Sequence, residues 1–279
     1  MLRFLARSPQ GLIGGLIVLT AALVALGAPL WAPFDPFAVD LPARLQPPLS
    51  AVASGGYHLL GTDAVGRDIL SRLIYGSRVS LSVGLAAVFV GAAFGSLIGC
   101  LSGYFGGLVE LVSSWLIDVQ LSFPFLLLAI FLLATFGGGT LIIVAILALG
   151  TWVNYARIVR GQVLSIKHQD YIEAAHAAGV GPLRLILVHI LPNTLSPVIV
   201  VAGFSMAQAI LTEAGLSFLG VGINPTIPSW GTMLNDGRDY LQSAWWISTF
   251  PGIAIGITVL GISLLGDSLR DLLDPRGAR

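Results

Sequence analysis

Residues 79–101 read VSLSVGLAAVFVGAAFGSLIGCL, an apolar run without a charged side chain. A helix of about 20 apolar residues can cross the hydrocarbon core of a bilayer, because its backbone amides bond within the helix. Five further runs of this kind flank it on both sides. The six predicted spans are 11–31, 79–101, 115–136, 141–159, 195–216 and 246–265. The sequence therefore predicts an all-α integral membrane protein.

The composition supports this class. The 279 residues are 56% hydrophobic and 10% charged, with a mean hydropathy of +0.89, whereas soluble domains carry about 25% charged residues. Lys+Arg and Asp+Glu both number 14, so no charge bias indicates a nucleic-acid partner. Cys100 is the single cysteine and lies in an apolar run, which predicts a small buried side chain and excludes an internal disulfide.

The first apolar run resembles a signal peptide at its start, since Arg3 and Arg7 precede it. It is longer than a typical signal-peptide core and five more spans follow, so we interpret it as a retained first span that acts as a signal anchor.

The distribution of cations predicts the orientation, because cytoplasmic segments of membrane proteins are enriched in Lys and Arg. With both termini inside, nine of the 14 Lys and Arg residues lie on the cytoplasmic side, counting Arg157 at the inner end of the fourth predicted span. This topology has a cytoplasmic N-terminus (1–10), an external loop (32–78), a cytoplasmic loop (160–194), a second external loop (217–245) and a cytoplasmic tail (268–279).

Nucleotide chemistry is not predicted in this chain. Lys167 is the only lysine, and no glycine-rich phosphate loop leads into it. The histidines have no metal-ligand spacing and are interpreted as polar or surface-loop residues, so no metal site is expected. The four histidines are His58, His168, His176 and His189.

Few ionisable residues fall within the predicted spans. Asp118 and Glu213 lie near span ends, where each either lines a transport pathway or reaches the interface by snorkelling. A proton-coupled carrier usually has acids or histidines deep in its spans. Their scarcity disfavours a secondary transporter, which nevertheless stays open as an alternative.

The cytoplasmic loop contains a predicted helix from Asp170 to a stop at Gly179, where a positive φ is expected. Asp170 and Glu173 suggest a capping box at its start. Pro182 then begins a second short helix, and Pro192 ends it. Four alanines leave the first helix slim enough to enter a groove: Ala174, Ala175, Ala177 and Ala178. The alternative is an amphipathic linker on the membrane surface.

Glu173-Ala174-Ala175, followed by Gly179 and then Leu191-Pro192, resembles the EAA signature of ABC importer permeases. In that family this loop forms coupling helices that dock on the ATPase. The resemblance implies a coupling role for Glu173, Ala174, Ala175, Gly179, Leu191 and Pro192. The sequence His189–Asn193 resembles the dipeptide, oligopeptide and nickel branch.

Further motifs resemble the C-type subunit of that branch over nearly the whole chain. They are Leu60-Gly61-Thr62-Asp63, Gly66-Arg67-Asp68, Ser71-Arg72, Gly76, Arg78 through Gly84, Leu121-Ser122-Phe123-Pro124, Glu213-Ala214, Leu216–Gly220, Pro228–Gly231, Gly266-Asp267, Leu269–Asp271 and Leu273–Arg276.

The resemblance implies a type I ABC importer permease fold with its core at 79–267. It also implies a homologous B-type permease, two ATP-binding subunits that carry ATP and magnesium, an extracytoplasmic solute-binding protein and lipid as partners. The location would be the plasma membrane of a bacterium or archaeon. Peptides are the expected substrate, with nickel chelates, glutathione or another small solute as alternatives. A membrane scaffold without transport is a third class.

Charged residues cluster near the end of the first external loop: Asp63, Arg67, Asp68, Arg72 and Arg78. We expect an internal ion-pair network that fixes this loop. The alternative is a contact with a solute-binding protein or a peptide terminus.

Overall fold

The computed structural model describes residues 8–52 and 55–273. Predictions that fall on Arg3, Arg7 and the tail from 274 onward lie outside these residues. The described chain is mostly helical, with one small hairpin of two-residue strands. Its helices are α1 (Pro9–Leu26), α2 (Ala28–Trp31), α3 (Ile69–Phe105), α4 (Gly107–Leu121), α5 (Phe125–Phe136), α6 (Thr140–Ile166), α7 (Asp170–Ala177), α8 (Pro182–Phe218), α9 (Trp230–Gly237) and α10 (Trp246–Leu273).

Five of the described helices are long and apolar enough to cross a membrane, and a sixth span results if α4 and α5 count as one. The predicted all-α membrane fold is thus confirmed. Short pieces complete the loops. The 3-10 helices are Leu41–Ala43 and Arg238–Tyr240, and strands β1 (Ser50–Ala51) and β2 (Tyr57–His58) pair antiparallel with Ser50 opposite His58.

The third predicted span is not a continuous helix. It breaks between α4 and α5, whose axes differ by 88°. Pro124 lacks a backbone N–H and disfavours helical geometry at the residue before it, so the chain turns at Phe123.

Helix α3 begins ten residues before the predicted second span, so the first loop is shorter than expected. Asp68 caps its start by accepting a hydrogen bond from Ser71 N at 2.8 Å. Hydropathy detects the part of a helix that contacts lipid, whereas this polar first turn is stabilised by its cap. Helices α6, α8 and α10 also extend beyond their predicted spans.

Proline 192 does not end a helix, contrary to the prediction. Residues Leu185–Ile190 form a π-helical segment, and Leu191 N–H donates to the Ile186 carbonyl, five residues back. This wider turn accommodates the ring of Pro192, which would clash with the preceding turn of a regular α-helix. The second helix of the cytoplasmic loop therefore continues into the fifth span as α8.

Close backbone contact between α3 and α6 forms the centre of the fold. Gly91, Gly95, Gly99 and Gly103 lie at helical spacing along α3 and face α6. A Cβ on Gly95 would overlap the carbonyl oxygen of Trp152, and one on Gly99 would lie 2.5 Å from the Ala156 oxygen. Small residues are needed wherever two membrane helices approach this closely.

The first prediction tests this contact. Gly95→Ala should lower the free energy of unfolding by about 1–3 kcal/mol, because a methyl group at this position forces α3 away from α6. The control Gly161→Ala adds the same methyl group to α6 where no atom lies within 4 Å. We expect the control to be neutral or stabilising. Equal thermal unfolding midpoints for both variants in detergent would refute the close contact.

Candidate functional site

Helix α7 is anchored to the bundle by one side chain. Ile172 is buried in an apolar cluster at one end of the bundle, while Glu173 and Ala174 on the same helix are exposed. The other buried members of the cluster come from α3, α6 and α8: Cys100, Val159, Val163, Ile166, Ile186 and Ile190. Helix α7 is therefore held against three spans and keeps a slim, exposed alanine face.

The turn after α7 requires glycine. Gly179 has φ of 82°, as the sequence predicted. Gly179 N donates to the His176 carbonyl at 3.0 Å, and Val180 N donates to the Ala175 carbonyl at 3.1 Å. These two bonds form a Schellman motif, which stops the helix with a left-handed residue.

The start of α7 differs from the prediction. Gln169 is the N-cap and Asp170 the first helical residue, and no side-chain capping bond forms there. Of the residues with a predicted coupling role, Glu173, Ala174, Ala175 and Gly179 lie together on α7 and its turn. Leu191 and Pro192 lie on α8, just after its π-helical segment.

Beside α7 lies a cavity of about 340 Å³. Lys167 and His168 line it from the segment before α7, and Glu173 and His176 line it from α7 itself. Lys167 Nζ donates to the Gly103 carbonyl at 3.2 Å, so the end of α6 is attached to the end of α3. The arrangement offers polar and charged side chains around a recess next to an exposed helix.

The predicted charge cluster forms a buried network at the opposite end of α3. Arg72 is 1% exposed and donates to Asp63 at 2.6 Å and Asp236 at 3.0 Å. Arg67 bonds the same two carboxylates at 2.6 and 3.1 Å. Two arginines and two aspartates thus join the first loop to α9. Burial raises the pKa of Asp236, and the charges of Arg72 and Arg67 oppose that rise.

Two predicted members lie outside this network. Asp68 caps α3 and contacts His58 Nδ1 at 2.9 Å, and both side chains are buried. His58 is therefore a buried residue with a carboxylate partner, and the surface-loop interpretation was wrong for it. Arg78 is exposed and has no ion pair with any described residue.

Glu213 is fully buried and does not reach an open surface in this structure. Its carboxyl accepts hydrogen bonds from Ser217 at 2.8 Å, Ser229 at 3.1 Å and Ser80 at 3.3 Å. Ser229 also caps α9, and Ser80 accepts a bond from Trp230 N at 3.2 Å. The carboxyl therefore connects α3, α8 and α9. Burial at this site argues against both snorkelling and pathway lining.

Asp118 lies on α4 and is 75% exposed along its side chain, with Arg157 of α6 at 3.9 Å. Three further contacts attach α4 to α6. Glu110 pairs with Arg160, and the Gln120 amide bonds Leu149 O at 2.5 Å and Trp152 Nε1 at 2.6 Å. Helix α4 is therefore joined to α6 at both ends by polar contacts, and Asp118 faces open space.

These features define a class: a multi-pass helical membrane protein with an exposed short helix at one end of the bundle and a charged loop network at the other. The family described as "Binding-protein-dependent transport system inner membrane component" matches residues 95–279, and the "N-terminal TM domain of oligopeptide transport permease C" matches residues 1–48. The chain belongs to this family of ABC importer permeases.

Known proteins resemble the chain over almost its entire length. The di/tripeptide transport system permease protein DppC of Pseudomonas aeruginosa is 42% identical, covering 96% of this chain and 88% of the relative. The dipeptide permease DppC of Haemophilus influenzae is 41% identical, covering 95% and 90%. An inward-facing MetNI methionine ABC transporter structure covers 74% of this chain and 98% of its own, at a TM-score of 0.59 and 19% identity. This structural similarity shows the fold alone.

The second prediction concerns the buried network. Arg72→Gln should lower the free energy of unfolding by about 3 kcal/mol, because it removes a buried partner of Asp63 while Arg67 remains in place. The control Asp239→Asn alters an exposed neighbouring acid, and its effect should stay within about 0.5 kcal/mol. Denaturant unfolding in detergent measures both. Similar losses in the two variants would show that the network adds no stability.

Proposed function

We propose that this chain and a second homologous permease subunit form the membrane pathway of a peptide importer. Two ATP-binding subunits would bind ATP and magnesium, and an extracytoplasmic solute-binding protein would deliver the substrate. One observation supports the coupling role of α7. Ile172 anchors the helix to three spans, while its alanine face stays exposed. Such a helix can transmit the motion of a docked subunit to the spans.

Coupling also needs a stiff connection between α7 and the pathway. Burial of Ile172 among residues of α3, α6 and α8 ties α7 to all three helices. The Schellman turn at Gly179 fixes the exit from α7. Because ATP drives transport only by binding one state better than another, a rigid docking surface is required to pass that preference on to the spans.

The peptide substrate is inferred from the relatives, since those from P. aeruginosa and H. influenzae are named as di/tripeptide and dipeptide permeases. Nickel chelates and glutathione remain the alternative cargo, because no described contact selects among these solutes. Family membership argues against a secondary transporter or a scaffold. The relatives come from bacteria, so we propose the bacterial inner membrane with both termini inside; the archaeal alternative has no support.

Asp118 is our proposed pathway residue. A charged side chain in a membrane span faces either water or protein, because contact with lipid is costly. Its carboxylate is largely exposed, and the nearest cation, on Arg157, is 3.9 Å away. Asp118 would then contribute to a hydrated wall of the pathway.

The third prediction tests coupling. Gly179→Val should strain the left-handed turn by about 1–2 kcal/mol, since a β-branched residue disfavours positive φ. The chain should still insert, because no atom lies within 4 Å of the new Cβ. Uptake of a labelled dipeptide should fall strongly, and the ATPase should either dissociate or hydrolyse ATP without transport. Glu173→Ala should weaken docking less.

A matched control separates backbone strain from side-chain bulk. Gly181→Val adds the same side chain in equally open space, but Gly181 has an ordinary φ of −65°. We expect wild-type uptake and normal co-purification of the ATPase. Wild-type transport by Gly179→Val would reject the coupling role. Uptake of nickel chelates or glutathione in place of dipeptides would reject only the peptide assignment.

A further inference from the structure

A long apolar groove of about 710 Å³ opens between α1, α3, α8 and α10. Aliphatic side chains and small residues form nearly all of its lining, for example Ala22, Leu85 and Met206. Two hydroxyls line it, on Ser82 and Thr258. Arg78 provides the one charge in the lining.

Arg78 has no negative partner among the described residues. Its guanidinium makes no ion pair within residues 8–52 and 55–273, and it lies beside apolar side chains at the external end of the predicted second span. An uncompensated cation next to hydrocarbon is costly. An anion at this end of the groove would form charge-assisted hydrogen bonds with the planar guanidinium.

The dimensions of the groove match one leaflet of a bilayer. On α3 it runs from Arg78 to Val88, ten residues or about 15 Å at 1.5 Å per residue. The hydrocarbon core is about 30 Å thick, so this length is half of it. A molecule with an anionic head at Arg78 and an apolar tail about 15 Å long would complement both ends of the groove.

We propose that the groove binds an acidic phospholipid, with its phosphate on Arg78 and an acyl chain along α3. This proposal holds whichever solute the importer transports. A peptide fits less well, because the lining has no acid to accept an α-amino group.

The test compares two lipids with the same acyl chains. The purified full chain in neutral detergent is titrated with palmitoyl-oleoyl phosphatidylglycerol or phosphatidylcholine, and native mass spectrometry counts the bound lipids. The wild type should prefer phosphatidylglycerol, and Arg78→Gln should weaken its binding about tenfold and abolish the preference. The control Arg44→Gln, at an exposed arginine away from the groove, should keep the preference.

A second variant tests the part of the groove that would hold the acyl chain. Ala22→Phe places a ring in the groove and should weaken both lipids equally. The proposal is overturned if Arg78→Gln retains the preference, or if glycerol phosphate without acyl chains binds as tightly as the lipid. A photo-crosslinking residue at Leu85, in the groove, should form no protein adduct in intact membranes. An adduct with another subunit would also overturn the proposal.

Discussion

The backbone contact between α3 and α6 is the constraint on which the rest of the structure depends. Along four glycines the two helices approach so closely that an added methyl group would overlap a carbonyl oxygen, a hydroxyl oxygen or a β-carbon of the partner. In a bilayer the hydrophobic effect gives no drive for helix association, so tight van der Waals packing must hold such a pair together. Close-packed interfaces do not deform continuously. The pair is therefore expected to behave as one rigid unit.

Both ends of this unit carry functional elements. At one end, Arg72 on α3 joins Asp63 to Asp236 and so attaches α9. At the other end, Cys100 of α3 and Val163 of α6 surround Ile172 and hold α7 in place. A motion of α7 would reach the charged network through α3 and α6 without bending either helix. This connection gives a physical basis for coupling between the proposed ATPase side and the external side.

Local sequence signals predicted some features well. Gly179 was predicted with positive φ because the stop signal of a helix involves only adjacent residues. The apolar runs located the spans because residues that contact lipid must be apolar. Helix ends were less accurate, since the cap at Asp68 and the widened turn before Pro192 depend on polar contacts and hydrogen-bond register that hydropathy does not measure.

Contacts distant in sequence were the least predictable. Arg72 was grouped with nearby charges, but its partner Asp236 is 164 residues away. Arg78 was placed in the same cluster, yet it lies six residues further along α3 and faces a different groove. The hydroxyl environment of Glu213 combines Ser80, Ser217 and Ser229 from three helices or their caps. No local pattern in the sequence specifies such an arrangement.

The central claim is that α3 and α6 move as one rigid pair. Double electron–electron resonance, which measures the distance between two spin labels, tests it most directly. Spin labels at Phe105 and Leu141, exposed at opposite ends of α3 and α6, would be compared in the assembled importer with and without a non-hydrolysable ATP analogue. Buried Cys100 is first replaced by alanine. The account predicts the same distance distribution in both states. A shift approaching one helical turn, about 5 Å, would contradict it.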